Sequence, residues 1–553
     1  MRAIIFAFCI GIPLSMGLFV RALPAQTSAS SQSGSGSPAS TSVATAPDKS
    51  TPASLSIADA VSLYRSGKWD DAAQEFNSLI AAHPNDAVAY AGLSRAYLKE
   101  RKIPEAYAAA TKAVSLAPAS ADSHVALGEV YFRQGKLYDA EQEFLAQANV
   151  NTTDARAYLG MARMSKANSY YKQANQMIEL AYKLDPNDPD IWRERFAFLT
   201  SAQVRKAQLN AAEDEGEESE EDVVPPSDNA AVVPTPIKLS DRSCRLVSTV
   251  TSMQSNLKML MNDPTHIAGF GVVVGMNGVR ATLRLDTGAG GILVTKGVAE
   301  KAGVKRLVDT KVRGIGDKGG ARGYIAFADS IQIGDLKFQH CPVEVIEKSP
   351  INEADGLIGG DVFEDFLVDI DFPNQKLRLS QLPPIPGADT SQPAGLDSQG
   401  NEPRYYNRYV APEMKSYTPV SRFGHMLLIP TRLNQLPPKL FLLDTGAFGN
   451  SISPAAAREV TGVSSDSDTY VRGLSGNVKT VFRANELTLT FGRLRQKNQD
   501  MVAFDLSPLS DDTGTEISGI LGFSMLAMLE MKIDYRDGLV DLIYDPTRVR
   551  LFH

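Results

Sequence analysis

The chain has 553 residues, and because one domain usually contains about 100–200 residues, this length predicts roughly three folded units. Hydrophobic residues make up 43% and charged residues 22%, values typical of soluble globular domains. The net charge of −8 and the lack of a basic cluster argue against a nucleic-acid-binding protein. The chain has 3 cysteines and 6 histidines, with no Cys-x-x-Cys pair and no His-Glu-x-x-His motif, so we expect neither a metal nor a cofactor.

The N-terminus resembles a secretory signal. Met1-Arg2 precedes an apolar stretch over residues 3–20, and small residues lead to a cleavage site after Ala25. The alternative is an uncleaved membrane anchor, which the glycines and proline of this stretch disfavour. We therefore expect a signal peptide over residues 1–25 and an exported protein of bacterial type, periplasmic or secreted. A membrane would be a partner only if this segment stays uncleaved.

A flexible linker is predicted over residues 26–54, because Ser, Ala, Thr, Pro and Gly dominate there and large apolar residues are nearly absent. After signal cleavage, the mature chain keeps Cys244 and Cys341. An exported protein permits a disulfide between them, and two buried thiols are the alternative.

Residues 55–204 carry a helical repeat with a period of 34. Small residues recur at Ala72, Ala106, Ala140 and Ala174, and prolines recur at Pro84, Pro118 and Pro186. Small residues at a fixed interval let antiparallel helices approach closely. Together with the segment 89–97, this pattern resembles the tetratricopeptide repeat, here with four copies and a closing helix near 190–199.

Two of the predicted turns depart from that pattern, because Arg101 and Ser169 stand where glycine is expected. The resemblance implies an all-α solenoid that binds a protein or peptide partner. A structural spacer or a dimerisation arm is the alternative.

A second linker is predicted over residues 205–238. Eight of the ten residues at 213–222 are acidic, and like charges at this density repel one another and stay solvated. The acidic run by itself carries as much negative charge as the whole chain's net charge, so the acidity says little about the neighbouring domains.

Beyond residue 239 the sequence changes to short alternating strands, and it is duplicated. Lobe one is predicted over residues 239–385, a connection over 386–420 and lobe two over 421–553. Four landmarks recur in the same order in both copies: 283–289 and 441–447, 312–315 and 471–474, 356–359 and 519–522, and 370–372 and 533–535. Such order predicts two equivalent β-lobes.

The first landmark contains Asp-Thr-Gly-Ala, beginning at Asp286 in one copy and at Asp444 in the other. Two such segments, each followed by an Ile/Leu-Gly turn, resemble an aspartic peptidase with two lobes in one chain. The alanine is similar to the retropepsin-like branch, and the single-chain arrangement is similar to pepsins. A third Asp-Thr-Gly, at 512–514, follows a polar stretch, and we expect an ordinary loop there.

The resemblance implies roles for these residues. Asp286 and Asp444 would be the catalytic pair, which shares one proton because two adjacent carboxylates cannot easily both ionise. The ionised member would activate a water that attacks the peptide carbonyl. The remaining active-site loop residues would support the pair, with the threonines interlocking the loops and the glycines allowing tight turns: Thr287, Gly288, Thr445 and Gly446.

Two glycine-rich hairpins are predicted to be flaps over the substrate cleft. Gly314, Ile315 and Gly316 lie in the first, and Gly473 and Leu474 in the second. Plain hairpin turns without a gating role are the alternative. The tyrosine typical of pepsin flaps has no match near the first hairpin.

We therefore predict a multidomain protein in which an α-solenoid precedes an all-β, two-lobed aspartic endopeptidase that acts as a monomer on polypeptides. The alternative is a non-catalytic scaffold that uses the repeats and a peptidase-like cleft to hold peptides.

Overall fold

The computed structural model describes residues 56–149, 153–196, 244–263, 266–316, 320–351, 353–386 and 407–548. The predicted signal peptide and both predicted linkers lie outside these residues. Within the described part of the chain, no helix combines the length and the apolar character that crossing a membrane requires.

The N-terminal part is helical. Its helices run α1 Ile57–Arg65, α2 Trp69–Ala82, α3 Ala87–Lys99, α4 Ile103–Leu116, α5 Ala121–Arg133, α6 Leu137–Asn149, α7 Ala155–Ala167, α8 Tyr171–Leu184 and α9 Pro189–Phe196. Side chains of Ser56, Asp86, Ser120 and Asp154 accept hydrogen bonds from the first free N–H groups of α1, α3, α5 and α7. These caps fix where four of the helices begin.

The helices form four antiparallel hairpins whose turns share one backbone conformation. Gly67, Arg101, Gly135 and Ser169 have φ of 80°, 64°, 71° and 61°. The departures from glycine at positions 101 and 169 therefore leave the left-handed turn intact. The four alanines predicted at the helix contacts have no exposed surface, and this supports the predicted close approach of neighbouring helices. The helical character predicted for this region is confirmed.

The C-terminal part is mostly β, as predicted. Lobe one contains a nine-stranded sheet of β1 Arg245–Leu246, β3 Lys258–Asp263, β4 His266–Met276, β5 Val279–Asp286, β6 Ile292–Thr295, β7 Lys305–Val312, β8 Ala321–Ile333, β9 Leu336–Ile346 and β10 Gly356–Gly359. A six-stranded sheet contains β2 Met253–Asn256, β11 Phe366–Asp371, β12 Lys376–Gln381, β13 Thr418–Pro419, β26 Leu529–Asp534 and β27 Leu539–Tyr544.

Lobe two contains a ten-stranded sheet of β14 Ser421–Phe423, β15 Met426–Leu433, β16 Lys439–Asp444, β17 Ser451–Ile452, β18 Val463–Ser465, β21 Val481–Ala484, β22 Leu487–Phe491, β23 Leu494–Asn498, β24 Met501–Phe504 and β25 Gly519–Gly522. The short strands β19 Arg472–Gly473 and β20 Gly476–Asn477 form a separate hairpin. The short helices are α10 Lys296–Ala302, α11 Pro454–Arg458, α12 Ser507–Thr513 and α13 Phe523–Leu526.

The six-stranded sheet joins the two lobes, because β11 of lobe one pairs with β26 of lobe two. Above it, Phe270, Phe372 and Phe523 bring both lobes into one hydrophobic core, with ring centroids 5.5–6.0 Å apart. The lobes are therefore fixed to each other at their base, and the cleft lies above this junction.

The third Asp-Thr-Gly differs from its prediction as a loop. Asp512 and Thr513 end helix α12, and Gly514 follows with φ of 72°, the left-handed conformation common after a helix. Pro508 occupies the first turn of this helix, where the missing N–H costs nothing, and the adjoining Leu506 is buried. Because the adjoining Leu506 packs in the interior, this otherwise polar segment can form a short helix.

Helix α12 is one of the places where the helical part contacts lobe two. The Arg133 guanidinium forms an ion pair with Asp511 and donates to the Ser510 carbonyl at 2.9 Å. The Thr515 hydroxyl donates to the Phe132 carbonyl at 2.6 Å. These contacts place the turn between α5 and α6 against lobe two.

Cys244 and Cys341 form a disulfide across β1 and β9, and this decides between the two alternatives that the sequence left open. Cys341 is fully buried. The bond holds the first strand of lobe one to the edge of its sheet.

Candidate active site

Two strands of equivalent position deliver the paired aspartates to the base of the cleft. In lobe one, β5 runs parallel to β10 and ends at Asp286, opposite Gly359. In lobe two, β16 runs parallel to β25 and ends at Asp444, opposite Gly522. Only 8% of Asp286 and 7% of Asp444 is exposed, so both carboxyl groups are largely shielded from water.

The two carboxyl groups face each other across the lobe boundary. A Cβ added to Gly288 would lie 2.5 Å from Cγ of Asp444, and one added to Gly446 would lie 2.1 Å from an oxygen of Asp286. Each glycine is therefore required because the opposite aspartate occupies the space of a side chain. The sequence predicted glycine here for a tight turn, and the structure adds this close approach.

Two threonines lock the loops together. The Thr287 hydroxyl donates to the Leu443 carbonyl at 2.8 Å and accepts from the Thr445 N–H at 3.1 Å. The Thr445 hydroxyl makes the reciprocal bonds, to the Leu285 carbonyl at 2.9 Å and from the Thr287 N–H at 3.0 Å. Both side chains are buried, so this network fixes the separation of the aspartates.

The carboxyl groups interact as a pair. Burial, followed by the negative charge of Asp286, raises the pKa of Asp444 to about 7, although N–H groups of Ala447 and Gly446 act in the opposite direction. The Gly446 N–H donates to Asp444 at 2.7 Å, and the Gly288 N–H donates to Asp286 at 2.9 Å. The pair therefore holds one proton up to neutral pH.

The cleft above the pair has a volume of about 890 Å³. Both aspartates and both glycines line it, together with four of the five predicted flap residues: Gly314, Ile315, Gly473 and Leu474. A peptide segment that enters the cleft would therefore meet the carboxyl pair below and both hairpins above.

The two hairpins contact each other. The Gly314 N–H donates to the Ser475 hydroxyl at 3.1 Å, and the Ser475 N–H donates to the Ile315 carbonyl at 3.1 Å. Gly316 has φ of 132° and lies so close to Ser475 that a Cβ would be 2.5 Å from its carbonyl carbon. In this structure the hairpins are closed over the cleft.

Two cleft residues and one residue between the hairpins were not predicted from the sequence. Arg284 and His425 line the cleft, and Ser475 joins the hairpins. Arg284 could have been found by comparing the two copies, since it precedes Asp286 by two residues, where the second copy has Leu442. For His425, a scattered histidine in a turn of lobe two, the sequence contains no comparable signal.

Among the residues that the structure describes, no group of three or more His, Cys, Asp or Glu side chains is placed to hold a metal ion.

Comparison with known proteins supports an aspartic peptidase domain. Residues 272–362 and 429–525 match the family model described as "Aspartyl protease", one segment in each lobe. None of the curated proteins matches. Among solved structures, an aspartic proteinase from Irpex lacteus is similar, with 14% sequence identity and a TM-score of 0.33, covering 55% of this chain and 100% of that one.

Proposed function

We propose that the protein is an aspartic endopeptidase that hydrolyses polypeptides with Asp286 and Asp444. The observation that carries this proposal is the buried pair of carboxyl groups, held face to face by reciprocal threonine hydrogen bonds at the base of a cleft. The family match to one segment of each lobe supports the same reaction class.

The mechanism follows from the shared proton. The ionised carboxylate takes a proton from a water held between the two aspartates, and the water oxygen attacks the peptide carbonyl carbon. The protonated carboxyl donates to the carbonyl oxygen, which bears the developing negative charge. Collapse of the tetrahedral intermediate breaks the C–N bond, and the leaving nitrogen takes up a proton. The pair returns to its singly protonated state.

The closed hairpins support a gating role for the predicted flaps. Among the residues that the structure describes, two backbone-donated hydrogen bonds join the hairpins, between Gly314, Ile315 and the buried Ser475. These contacts join one lobe to the other, so they can break without disrupting the fold of either lobe, and a polypeptide needs this opening to enter.

The helical part is proposed to be a tetratricopeptide-repeat domain that docks a protein partner or the substrate. Four similar hairpins with the same turn geometry support the repeat assignment. Its contact with helix α12 through Arg133 and Asp511 keeps a bound partner close to the cleft, because Leu509 of the same helix lines the cleft.

An exported location, periplasmic or secreted, remains part of the proposal. The Cys244–Cys341 disulfide supports it, because structural disulfides persist mainly in oxidising compartments. The predicted signal over residues 1–25 lies outside the described residues.

The test is cleavage of a mixed peptide library, followed by mass spectrometry. Wild-type protein should cleave internal peptide bonds, and Asp286→Asn should lower kcat/KM by about 10³-fold or more. Asp335→Asn is the matched control, because Asp335 is an exposed carboxylate of lobe one outside the cleft. Continued cleavage by purified Asp286→Asn would refute the proposed pair. Folded wild-type protein that cleaves nothing at any pH would favour the scaffold alternative.

A single chain supplies both aspartates, so the monomer should suffice. Specific activity should stay constant as the protein is diluted. A fall in specific activity that follows the dissociation of a dimer would contradict a pair formed within one chain.

A further inference from the structure

One row of side chains lines the lobe-one half of the cleft across four neighbouring strands. In the strand order β9, β6, β10 and β5, Glu344 lies opposite Leu293, Leu293 opposite Leu357, and Leu357 opposite Arg284. All four line the cleft. Since neighbouring strands are about 4.8 Å apart, this lobe-one row is about 14 Å long.

Lobe two has the equivalent row on its equivalent strands β24, β17, β25 and β16. Its members are paired in the same way and also line the cleft: Val502, Ser451, Ile520 and Leu442. The two rows face the same substrate from opposite sides of the aspartate pair, so they can be compared position by position.

The rows differ most at their ends. Arg284 in lobe one stands where lobe two has Leu442, and Glu344 stands where lobe two has Val502. The lobe-two row contains no charge. The lobe-one row has two leucines in its middle and a charged residue at each end.

The two charges of the lobe-one row are not equivalent. The Arg284 guanidinium lies 3.2 Å from a Glu353 oxygen and donates to the Gly446 carbonyl at 2.6 Å, so its charge is compensated. The Glu344 side chain forms no ion pair or hydrogen bond with any residue that the structure describes, although its backbone is paired within the sheet. The row therefore presents one uncompensated carboxylate to the cleft.

The surroundings of Glu344 favour a cationic ligand. Its side chain is open to the cleft, and burial by the surrounding protein raises the pKa of its carboxyl group. A cation placed beside this carboxylate stabilises its charged form. Leu293 and Leu357 line the cleft between Arg284 and Glu344, and Leu474 of the closed lobe-two hairpin packs against their cluster, so that only 5% and 4% of them is exposed in this structure.

We propose that the lobe-one row binds a lysine or arginine side chain of the polypeptide substrate. The methylene groups lie over Leu293 and Leu357, and the cation pairs with Glu344. The lobe-two row binds an apolar side chain on the other side of the scissile bond. This inference rests on the proposed peptidase function and adds a substrate class to it.

The first test compares matched substrates. A peptide that the wild-type protein cleaves is resynthesised with lysine or methionine at each position flanking the scissile bond. Lysine should be preferred on one side only, and Glu344→Gln should lower the lysine-to-methionine ratio of kcat/KM by about tenfold, since a charge-assisted hydrogen bond is lost. A wild-type ratio at or below one on both sides would overturn the proposal, as would a ratio that Glu344→Gln leaves unchanged.

Two further variants test whether a changed ratio reflects the proposed subsite or only a disturbed structure. Val502→Glu places the carboxylate at the equivalent position of lobe two and should create a lysine preference on the opposite side of the scissile bond. Glu347→Gln is the matched control, because Glu347 directly follows β9, is exposed and does not line the cleft, and it should leave the ratio unchanged. A Val502→Glu variant that folds without gaining this preference would contradict the row comparison.

Measurements of peptide binding distinguish a failure of the proposed subsite from a failure of the proposed peptidase function. The affinities of the lysine and methionine peptides are measured by calorimetry with the Asp286→Asn variant, with and without Glu344→Gln. If no peptide is ever cleaved, the peptidase proposal fails, while a lysine preference in binding that depends on Glu344 still supports the subsite. Equal affinities for both peptides would overturn the subsite even for an active peptidase.

Discussion

The two lobes share one backbone plan and differ in the side chains that surround it. In both, a parallel strand pair ends at an aspartate, and a threonine and a glycine of each loop reach into the other lobe. Beyond the aspartates, threonines and glycines the lobes diverge, since the lobe-one row is charged at its ends and the lobe-two row is uncharged. The chemistry requires two equivalent carboxylates, whereas substrate selection does not require equivalent side chains in the lobe-one and lobe-two rows.

The helical part adds a second asymmetry. Its turn between α5 and α6 contacts helix α12 of lobe two through Arg133 and Asp511. Asp512 of the same helix lies 3.7 Å from Arg313 beside the lobe-one hairpin. Helix α12 therefore contacts both the turn between α5 and α6 and the base of the lobe-one hairpin.

The comparison of the two carboxyl groups is tested first by the pH dependence of the shared proton. The active pair holds one proton, and because the pKa of Asp444 is raised to about 7, this proton is lost as the pH rises above 7. Hence kcat/KM should fall about tenfold for each pH unit above 7, or about 100-fold by pH 9. Activity is measured from pH 5 to 9, with circular dichroism as the control for folding. A rise in kcat/KM between pH 7 and 9 would contradict a singly protonated pair.

Substitutions of the two threonines test whether the two active-site loops contribute equally to the hydrogen bonds between them. Thr287→Val and Thr445→Val each remove two buried hydrogen bonds and leave a carbonyl and an N–H without partners, so each should lower the free energy of unfolding by about 2–4 kcal/mol. Urea unfolding measures both. Thr287→Ser and Thr445→Ser keep the hydroxyl and should cost less. Clearly unequal costs for the two valine variants would show that the lobes do not share the interaction equally.

Asp371 and Asp534 occupy equivalent strand ends but differ in environment. At Asp371 burial acts to raise the pKa, but hydrogen bonds from Asn374 and Arg378 lower it overall, so its contribution to stability is present at neutral pH and lost as the pH falls. At Asp534 burial, followed by Asp537, raises the pKa to about 7, so stability is lost as the pH rises towards and through 7.

Replacing each of these aspartates by asparagine should therefore change the free energy of unfolding in opposite directions at pH 8. Asp371→Asn should lower the free energy of unfolding by about 1–2 kcal/mol, and Asp534→Asn should raise it by about 1 kcal/mol. Thermal unfolding at pH 5 and pH 8 measures both. The gain from Asp534→Asn should shrink at pH 5, and the same sign for both variants at pH 8 would contradict this comparison.

The smallest expected effect is at the contact between the helical part and lobe two. Arg133→Met removes the ion pair with Asp511 and the hydrogen bond to Ser510, and it should weaken this contact by about 1–2 kcal/mol. Protection of helix α12 from amide hydrogen exchange reports the change. Arg193→Met, at an exposed position of α9 away from lobe two, is the control. Unchanged exchange in α12 after Arg133→Met would show that the contact does not hold the helix.

The duplicated sequence made much of the candidate active site predictable. Two Asp-Thr-Gly segments with the same downstream landmarks predicted that Asp286 and Asp444 meet and that the two hairpins occupy equivalent places. The 34-residue period likewise predicted helical hairpins, and the left-handed turns at Arg101 and Ser169 show that position in the repeat outweighs the preference for glycine.

Contacts between surfaces were not predictable in the same way. The approach of Arg133 to Asp511 joins residues 378 apart and follows no periodicity. Helix α12 was expected to be a loop because its sequence is polar, and its buried neighbours are what stabilise it. Glu344 could be aligned with Val502 by the offset between copies, but only the strand register shows that both line the cleft.

The most direct test of the central claim is a double-mutant cycle on the aspartate pair. Turnover of one cleaved peptide is measured for wild type, Asp286→Asn, Asp444→Asn and the double variant, with Asp335→Asn and Asp500→Asn as exposed controls. If the pair acts as one unit, each single variant should lose about 10³-fold or more, and the double variant should lose no more than the singles. Substantial activity in either single variant, or a double variant whose losses multiply, would contradict a shared catalytic pair.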